Sequence, residues 1–330
     1  MRLLVILIAI FITQGLKAQT SDFFSGKAVQ NVCQNVIKEN RPGVYISQYP
    51  QFVQGTESLF YMQRSQGKYV VNMILLSQPD EAIELFSFKN KIHDILLHGH
   101  SLWVLTNETL QEWDLHSGKF VTLSNTHFNK RSPSNRNYAH AMAAHKNLIY
   151  IAHGGQGLHT FDIQQKTLLK TYDLGLANQP GGHYSKAIAI SIEGNSAIIG
   201  VDNITAPQED TKPFNGLIKF NLSDPNLHVK NSYNRKTAGV LAYAYLKING
   251  GTVHINNLGL YHSISVNELN KGMPIKPKTH PIYETVDGMR QLVELSGDIL
   301  IEDQRIYACG TIYKNNDKGT SKQLGKVVVY

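Results

Sequence analysis

The chain has 330 residues, of which 42% are hydrophobic and 17% are charged, and its formal net charge is +7 at pH 7. This length suits one large all-β domain or two ordinary domains. The basic excess is mild, and bases and acids are interspersed outside residues 127–136. We therefore do not expect a surface that binds nucleic acid.

Residues 1–18 are predicted to form a secretory signal peptide. One basic residue, Arg2, precedes an apolar run over residues 3–12, and a polar stretch then leads to Ala18. The apolar run is about ten residues long, whereas a helix that spans a bilayer needs roughly 20. We expect cleavage after Ala18, export to the periplasm or the medium, and no transmembrane segment in the mature protein. An uncleaved membrane anchor is the alternative.

The rest of the chain divides into a short N-terminal segment and one repetitive domain. Residues 19–43 form the segment, in which only residues 26–38 suggest a short helix. Residues 44–330 carry a strand pattern that recurs six times. In each unit a short strand of small apolar residues precedes a strand with a large apolar anchor, and more strands with turn signals between them follow. The anchors are Tyr61, Trp103, Tyr150, Ile199, Val253 and Tyr307.

The repeat resembles a β-propeller. The anchors follow one another at steps of 42 to 54 residues, which lies in the range for propeller blades. The pair Trp113 and Asp114, followed by a turn, is similar to the dipeptide of a WD40 blade. The resemblance is to a divergent propeller of the WD40-like, YVTN or LVIVD type, and it implies an all-β fold. Six four-stranded blades are the first expectation, and seven are the second.

The two ends of the propeller are expected to close the ring together. The sixth unit ends on its third strand, and residues 43–47 form an unassigned strand before the first unit. That strand would complete the last blade by pairing with the C-terminal strand, which removes the exposed edge. This arrangement brings Cys33 near Cys309, and in an exported chain an even cysteine count favours a disulfide. Two unpaired thiols are the alternative.

The resemblance places binding on the face where the inner strands of the blades start. At that face we expect a polar ring around the central channel and three long loops, at residues 124–140, 175–185 and 202–216. The loop at 124–140 is basic. The candidate ligand-binding residues are Gln51, His93, His140, His153, His183, Tyr184, Lys186, Asp202, Tyr243, Lys130, Arg131 and Arg136.

The sequence contains no recognised catalytic motif, so a metal site and an enzyme are secondary hypotheses. His93, His140, His153 and His183 are the only set that could share an ion, and we expect neither a metal nor a cofactor. Asp94 and Asp298 occupy matching places in two inner strands and are interpreted as structural acids. The sequence favours an exported, monomeric, non-enzymatic scaffold that binds a protein, peptide or glycan. The alternative is a lactonase-like or lyase-like enzyme that uses His93, His140 and Lys186.

Overall fold

The computed structural model describes most of the repetitive domain and one short helix before it. The described residues are 27–33, 51–106, 109–121, 123, 139–176, 185–203, 216–224, 228–232, 245–257, 260–271, 277–286, 288–302, 305–315 and 321–329. Residues 27–33 form helix α1, and all longer elements are strands. Within the described residues, no helix is long and apolar enough to cross a membrane.

Five sheets have four antiparallel strands each, in sequence order. Blade 1 consists of β1 (Gln51–Gln54), β2 (Ser58–Ser65), β3 (Lys68–Leu75) and β4 (Ala82–Phe88). Blade 2 consists of β5 (Ile92–His98), β6 (Ser101–Thr106), β7 (Leu110–Asp114) and β8 (Lys119–Val121). Blade 3 consists of β9 (Ala141–His145), β10 (Leu148–Ala152), β11 (Leu158–Asp162) and β12 (Thr167–Tyr172).

The second half of the chain continues the same plan with two additions. Blade 4 consists of β13 (Ser185–Glu193), β14 (Ser196–Asn203), β15 (Gly216–Asn221) and β16 (His228–Ser232). Blade 5 consists of β17 (Tyr245–Asn249), β18 (Thr252–Asn257), β19 (Leu260–Ser265), a 3-10 turn (Glu268–Lys271) and β20 (Lys278–His280). A two-stranded ribbon follows, formed by β21 (Tyr283–Val286) and β22 (Met289–Leu292). The last sheet contains β23 (Glu294–Glu302), β24 (Arg305–Asn315) and β25 (Ser321–Val329).

The first strands of these six sheets form a closed ring. Each inner strand contacts the inner strand of the next sheet, from β1 through β5, β9, β13 and β17 to β23, and β23 contacts β1 again. The all-β propeller with four-stranded blades is therefore confirmed. The structure shows five four-stranded blades rather than six, because the sixth sheet has three described strands. The predicted closing strand at residues 43–47 lies outside the described residues.

Large apolar side chains fill the spaces between neighbouring sheets. All six anchors of the repeat are buried. Trp103, for example, packs against Met142, Ile149 and Phe161 of the next blade, and its ring centroid lies 5.3 Å from that of Phe161. Burial of such side chains is worth about 1.5–3 kcal/mol each. The recurring anchors therefore reflect sheet-to-sheet packing.

Helix α1 and a disulfide fasten the N-terminal segment across the junction of the first and last sheets. Cys33 is bonded to Cys309, with 5.3 Å between their Cα atoms and 276 residues between them in sequence. On the blade 1 side, the Lys27 ammonium lies 2.6 Å from an Asp80 carboxylate oxygen, and the Asn31 amide donates to the Pro79 carbonyl. The apolar side of α1 packs in one core with residues of both sheets. The predicted disulfide is confirmed.

Candidate binding site at the channel mouth

The direction of the strands defines two faces of the ring. Each inner strand starts at one face, and the antiparallel neighbours alternate in direction. The connections between blades, and those between the second and third strands of a blade, therefore lie at the face where the inner strands start. We call this the mouth face. The described residues that flank the three predicted binding segments lie at this face, and so does the β21–β22 ribbon, which connects two blades.

Three predicted site residues meet at the mouth face, at the starts of three consecutive inner strands. His93 follows the first residue of β5, His140 immediately precedes β9, and Lys186 is the second residue of β13. The ring centroids of His93 and His140 are 5.7 Å apart. His93 and Lys186 are buried. The repeat brings these residues together because equivalent positions of neighbouring blades adjoin at the channel.

The electrostatics of His140 identify further members of this group. Burial is the main reason why the pKa of His140 lies well below 6.5, and nearby positive groups lower it further. In decreasing order, these groups are His93, Lys186, Lys91 and His153. We call the five residues the basic cluster. Lys91, whose pKa burial also lowers, was not among the predicted site residues, although it stands two positions before His93.

His153 is the most deeply buried imidazole of the basic cluster. It follows β10 and is 1% exposed, and its ring centroid lies 4.5 Å from that of His159. Burial, followed by the charge of His159, lowers the pKa of His153 to about 4. His159 is held by the Thr171 hydroxyl at 3.0 Å and by the Gln156 amide oxygen at 3.2 Å. At neutral pH both His140 and His153 are thus neutral imidazoles, each able to donate and accept a hydrogen bond.

The segment after His153 joins blade 3 to the inner strand of blade 4. Gly154 and Ala187 exchange two backbone hydrogen bonds, of 3.1 and 3.0 Å. Gly157 closes the turn with φ of +90°, and a Cβ there would lie 2.3 Å from the Tyr172 carbonyl oxygen. Only glycine fits this position. The backbone therefore fixes His153 relative to Lys186.

The remaining predicted site residues cannot all be placed. Gln51 opens β1, and Asp202 lies in β14 opposite Lys186, but their side chains are outside the description. His183, Tyr184, Tyr243, Lys130, Arg131 and Arg136 lie outside the described residues. Among the residues that are described, no three histidine, cysteine or acidic side chains are grouped as metal ligands. Whether these residues bind a ligand stays a prediction.

The sixth inner strand differs from its expected limits. In the repeat, each inner strand is expected to start about ten residues before its anchor, which predicts Gly297 for the anchor Tyr307, but β23 begins at Glu294. Gly297 instead lies at a bulge between Ser296 and Ile299 and has φ of +84°. Two residues of β23, Gly297 and Asp298, have no partner in β24 at this irregularity, and these extra residues place the start of the strand further from the anchor than the regular spacing predicts.

The matching acids of the repeat join neighbouring blades. One Asp94 carboxylate oxygen accepts the N–H of Ile95 at 2.9 Å, and the other accepts the N–H of Met142, in blade 3, at 2.7 Å. Asp298 accepts the N–H of Ile299 at 2.9 Å and that of Phe52, in blade 1, at 3.5 Å. These contacts support the interpretation of both aspartates as structural acids.

Lys247, on the inner strand of blade 5, extends this polar network within the channel. Its ammonium lies 3.1 Å from an Asp298 carboxylate oxygen, and its side chain is 39% exposed. Burial alone would lower the pKa of Lys247, but the charges of Asp298 and Asp94 outweigh burial and raise it. Burial raises the pKa of Asp94 from 3.8 to about 7. The sequence offered one signal for Lys247, namely a charged residue inside an inner strand.

Comparisons with known proteins define the class of the fold. No protein-family model matches the chain, and no curated protein matches it in sequence. The crystal structure of the RRP9 WD40 repeats aligns with 86% of this chain and 82% of its own, with 10% identity and a TM-score of 0.52. The structure of U3-55K aligns with 86% and 83%, with 9% identity and a TM-score of 0.50. The chain is a divergent β-propeller, similar in fold to WD40-repeat proteins.

Proposed function

We propose that this propeller is an exported, non-enzymatic scaffold that binds a protein, peptide or glycan on its mouth face. The observation that carries the proposal is that the polar groups of the inner strands fall into two sets: one set bonds to the backbone between blades, and the other lies at the mouth face. Asp94 and Asp298 accept backbone N–H groups between blades, so their carboxylates serve the ring. The basic cluster lies at the mouth face, as do the strand ends that flank the long connections, and a repeat scaffold concentrates binding on such a face.

The chemistry of the basic cluster suits recognition of a polar or anionic group. Lys186 and His153 are buried, so a ligand would meet the cluster at its accessible members, His140 and Lys91. Charge-assisted hydrogen bonds from lysine to an oxyanion are stronger than neutral ones. Neutral imidazoles add donors and acceptors at fixed positions. The glycan, peptide and protein hypotheses all satisfy this chemistry.

Export is supported by two features of the chain. The first 18 residues have the pattern of a signal peptide. The Cys33–Cys309 bond is compatible with an oxidising compartment, where structural disulfides persist. The experiment is direct: mass spectrometry of the mature N-terminus, isolated from the host cell, should find Gln19 as the first residue. A chain that retains Met1 would contradict export by cleavage.

The binding proposal is tested with charge variants on the two faces. In a triple variant, Lys130, Arg131 and Arg136 are replaced by alanine, which removes three cations of one mouth-face loop. A matched control replaces Lys119, Lys146 and Lys278, which are exposed and lie at turns of the opposite face. After cross-linking in the host, the loop variant should recover less partner than the wild type, whereas the control should recover the same amount. Equal recovery from both variants would remove the loop from the site.

One observation favours an enzyme as a second candidate. The lowered pKa of His140 keeps its imidazole neutral at pH 7, as a general base requires, and Lys186 lies in the same cluster. A lactonase-like or lyase-like activity would then use His93, His140 and Lys186. The test is hydrolysis or elimination of lactone and uronate substrates by the purified protein, with elemental analysis alongside. Turnover that H140Q abolishes, or a stoichiometric metal, would favour the enzyme.

A further inference from the structure

The β21–β22 ribbon is an insertion that the blade plan does not require. It lies between the last strand of blade 5 and the inner strand β23, a connection that belongs to the mouth face. Its two strands pair in register from Tyr283 opposite Leu292 to Val286 opposite Met289. At its root the Val293 N–H donates to the Ile282 carbonyl at 2.8 Å, and both side chains pack into the core of the last sheet. The ribbon is thus anchored at its base.

The ribbon carries an unusual concentration of exposed apolar surface. Six large hydrophobic side chains are exposed among the described residues, and three of them are on the ribbon: Tyr283 at 45%, Met289 at 64% and Leu292 at 38%. The Arg290 guanidinium lies 4.0 Å from the centre of the Tyr283 ring. Tyrosine, methionine and arginine are the residue types enriched where proteins bind one another. An anchored, apolar ribbon with this composition indicates a docking surface.

The charge on the ribbon specifies the chemistry of the partner. Cross-strand pairs alternate between the two faces, so Tyr283 and Leu292 share one face with Thr285 and Arg290. Glu284, Gln291 and Met289 lie on the other face, so Tyr283 and Leu292 are the exposed apolar side chains of the first face. Among the described residues, the face of Tyr283 therefore presents apolar surface beside a single cation. Its complement is an apolar side chain next to a carboxylate, which the guanidinium can hold in a bidentate contact.

The backbone of the ribbon specifies the conformation of the partner. β21 pairs with β22 along one edge, and among the described strands no other strand pairs with its second edge. An edge of this kind accepts an extended peptide as a third strand. A two-stranded ribbon is only marginally stable by itself, so a third strand would also stabilise it. Alternate side chains of such a peptide would face Tyr283 and Arg290.

We propose that the β21–β22 ribbon docks an extended segment of a partner protein in which an apolar and an acidic residue stand two positions apart, on the same face of the segment. The segment adds to the edge of β21 that no described strand covers, packs its apolar side chain on Tyr283, and places the carboxylate beside Thr285, across which it reaches Arg290. This proposal deepens the proposed function, on which it rests, because it names the class of partner and a surface on the mouth face.

The test uses two synthetic peptides of ten residues with blocked ends. Both have threonine at every second position, and in the positions between them one alternates valine and glutamate and the other alternates valine and lysine, so that both residue types lie on one face. Each carries a fluorophore, and binding to the full mature chain is followed by anisotropy, while amide shifts of ¹⁵N-labelled protein locate the contact. The glutamate peptide should bind with a Kd below about 1 mM and shift amides of residues 283–292. The lysine peptide should bind at least about tenfold more weakly, since a like charge at Arg290 opposes it.

Variants distinguish a specific contact of the peptide with the ribbon from nonspecific hydrophobic binding. R290E should weaken binding of the glutamate peptide at least about tenfold and improve binding of the lysine peptide. Y283S should also weaken both peptides, whereas L169S, which removes an equally exposed side chain from the edge strand β12, should leave binding unchanged. Circular dichroism checks that each variant is folded. No binding at about 1 mM, amide shifts elsewhere, or equal effects of R290E and L169S would overturn the proposal.

The peptide and cross-linking experiments together distinguish an incorrect ribbon proposal from an incorrect proposed function. If neither peptide binds while the loop variant at Lys130, Arg131 and Arg136 loses its cross-linked partner, the ribbon proposal is overturned and the mouth face stands as a binding site. If the glutamate peptide binds the ribbon as described while that loop variant retains its partner, the ribbon proposal is supported. In that case the basic loop is removed from the site.

Discussion

Replacing Asp94 with asparagine is expected to change how the stability of the propeller depends on pH. Burial raises the pKa of Asp94 to about 7 from a value of 3.8. Because the folded-state pKa is the higher one, the folded protein binds more protons than the unfolded chain between these values. The contribution of Asp94 is therefore fully present below pH 3.8 and is lost as the pH rises through about 7.

The size of the effect follows from the shift. Each pH unit of difference between the two pKa values corresponds to about 1.4 kcal/mol, so the full shift corresponds to about 4 kcal/mol. Asp94 is only partly buried, so solvent screens its charge and we expect roughly half of that value. The asparagine variant does not titrate, but it retains only one oxygen for two N–H donors. One donor is left without its acceptor, which costs about 1–3 kcal/mol at every pH.

The assay is denaturant unfolding of the wild type and D94N at pH 5 and pH 8. Since pH 5 already lies above the unfolded value of 3.8, only about two pH units of the shift contribute, and the free energy of unfolding of the wild type should fall by roughly 1 kcal/mol more than that of D94N between the two pH values. D298N provides a comparison at the matching repeat position: it should cost stability at both pH values, because it leaves the Lys247 ammonium without the carboxylate at 3.1 Å. Parallel pH dependence of D94N and the wild type would refute the account of Asp94.

Two further changes test the closure of the ring and the turn beside the mouth. Removing the disulfide with C33S/C309S should lower the free energy of unfolding by up to about 4–5 kcal/mol, since the bond closes a very long loop. A reductant should lower the melting temperature of the wild type and leave that of the variant unchanged. A wild-type melting temperature that the reductant does not change would contradict a stabilising role of the disulfide. G157A should cost about 2–4 kcal/mol because its Cβ would meet the Tyr172 carbonyl at positive φ. The control G194A, also at positive φ but with nothing within 4 Å, should cost only about 1 kcal/mol, and equal losses would show that the contact with Tyr172 is unimportant.

The repeat could be predicted from the sequence because packing between sheets imposes it locally. Each anchor, such as Trp103 or Tyr307, must fill the same space between blades, so large apolar residues recur at a regular spacing. The pairing of Cys33 with Cys309 also followed, since a closed ring brings the first and last units together. These inferences needed only short-range pattern and the topology of a ring.

Other features could not be predicted because they depend on contacts between distant units. β21 and β22 are four residues each and have no counterpart at the repeat spacing, so the ribbon was missed. Lys247 acquires its environment from Asp298 and Asp94, which lie on two other blades. The bulge at Gly297 shifted the expected start of the sixth inner strand. In each case tertiary contacts, rather than local pattern, decide the structure.

The measurement that tests the central claim most directly is hydrogen–deuterium exchange of the mature protein, alone and with the partner recovered by cross-linking. The account predicts slower exchange in the partner complex at the mouth face, in the ribbon at residues 283–292 and around the starts of β5, β9 and β13. The turns of the opposite face, at residues 99–100, 146–147, 194–195 and 250–251, should exchange as in the free protein. Protection confined to those turns would place the binding surface on the wrong side of the ring and contradict the account.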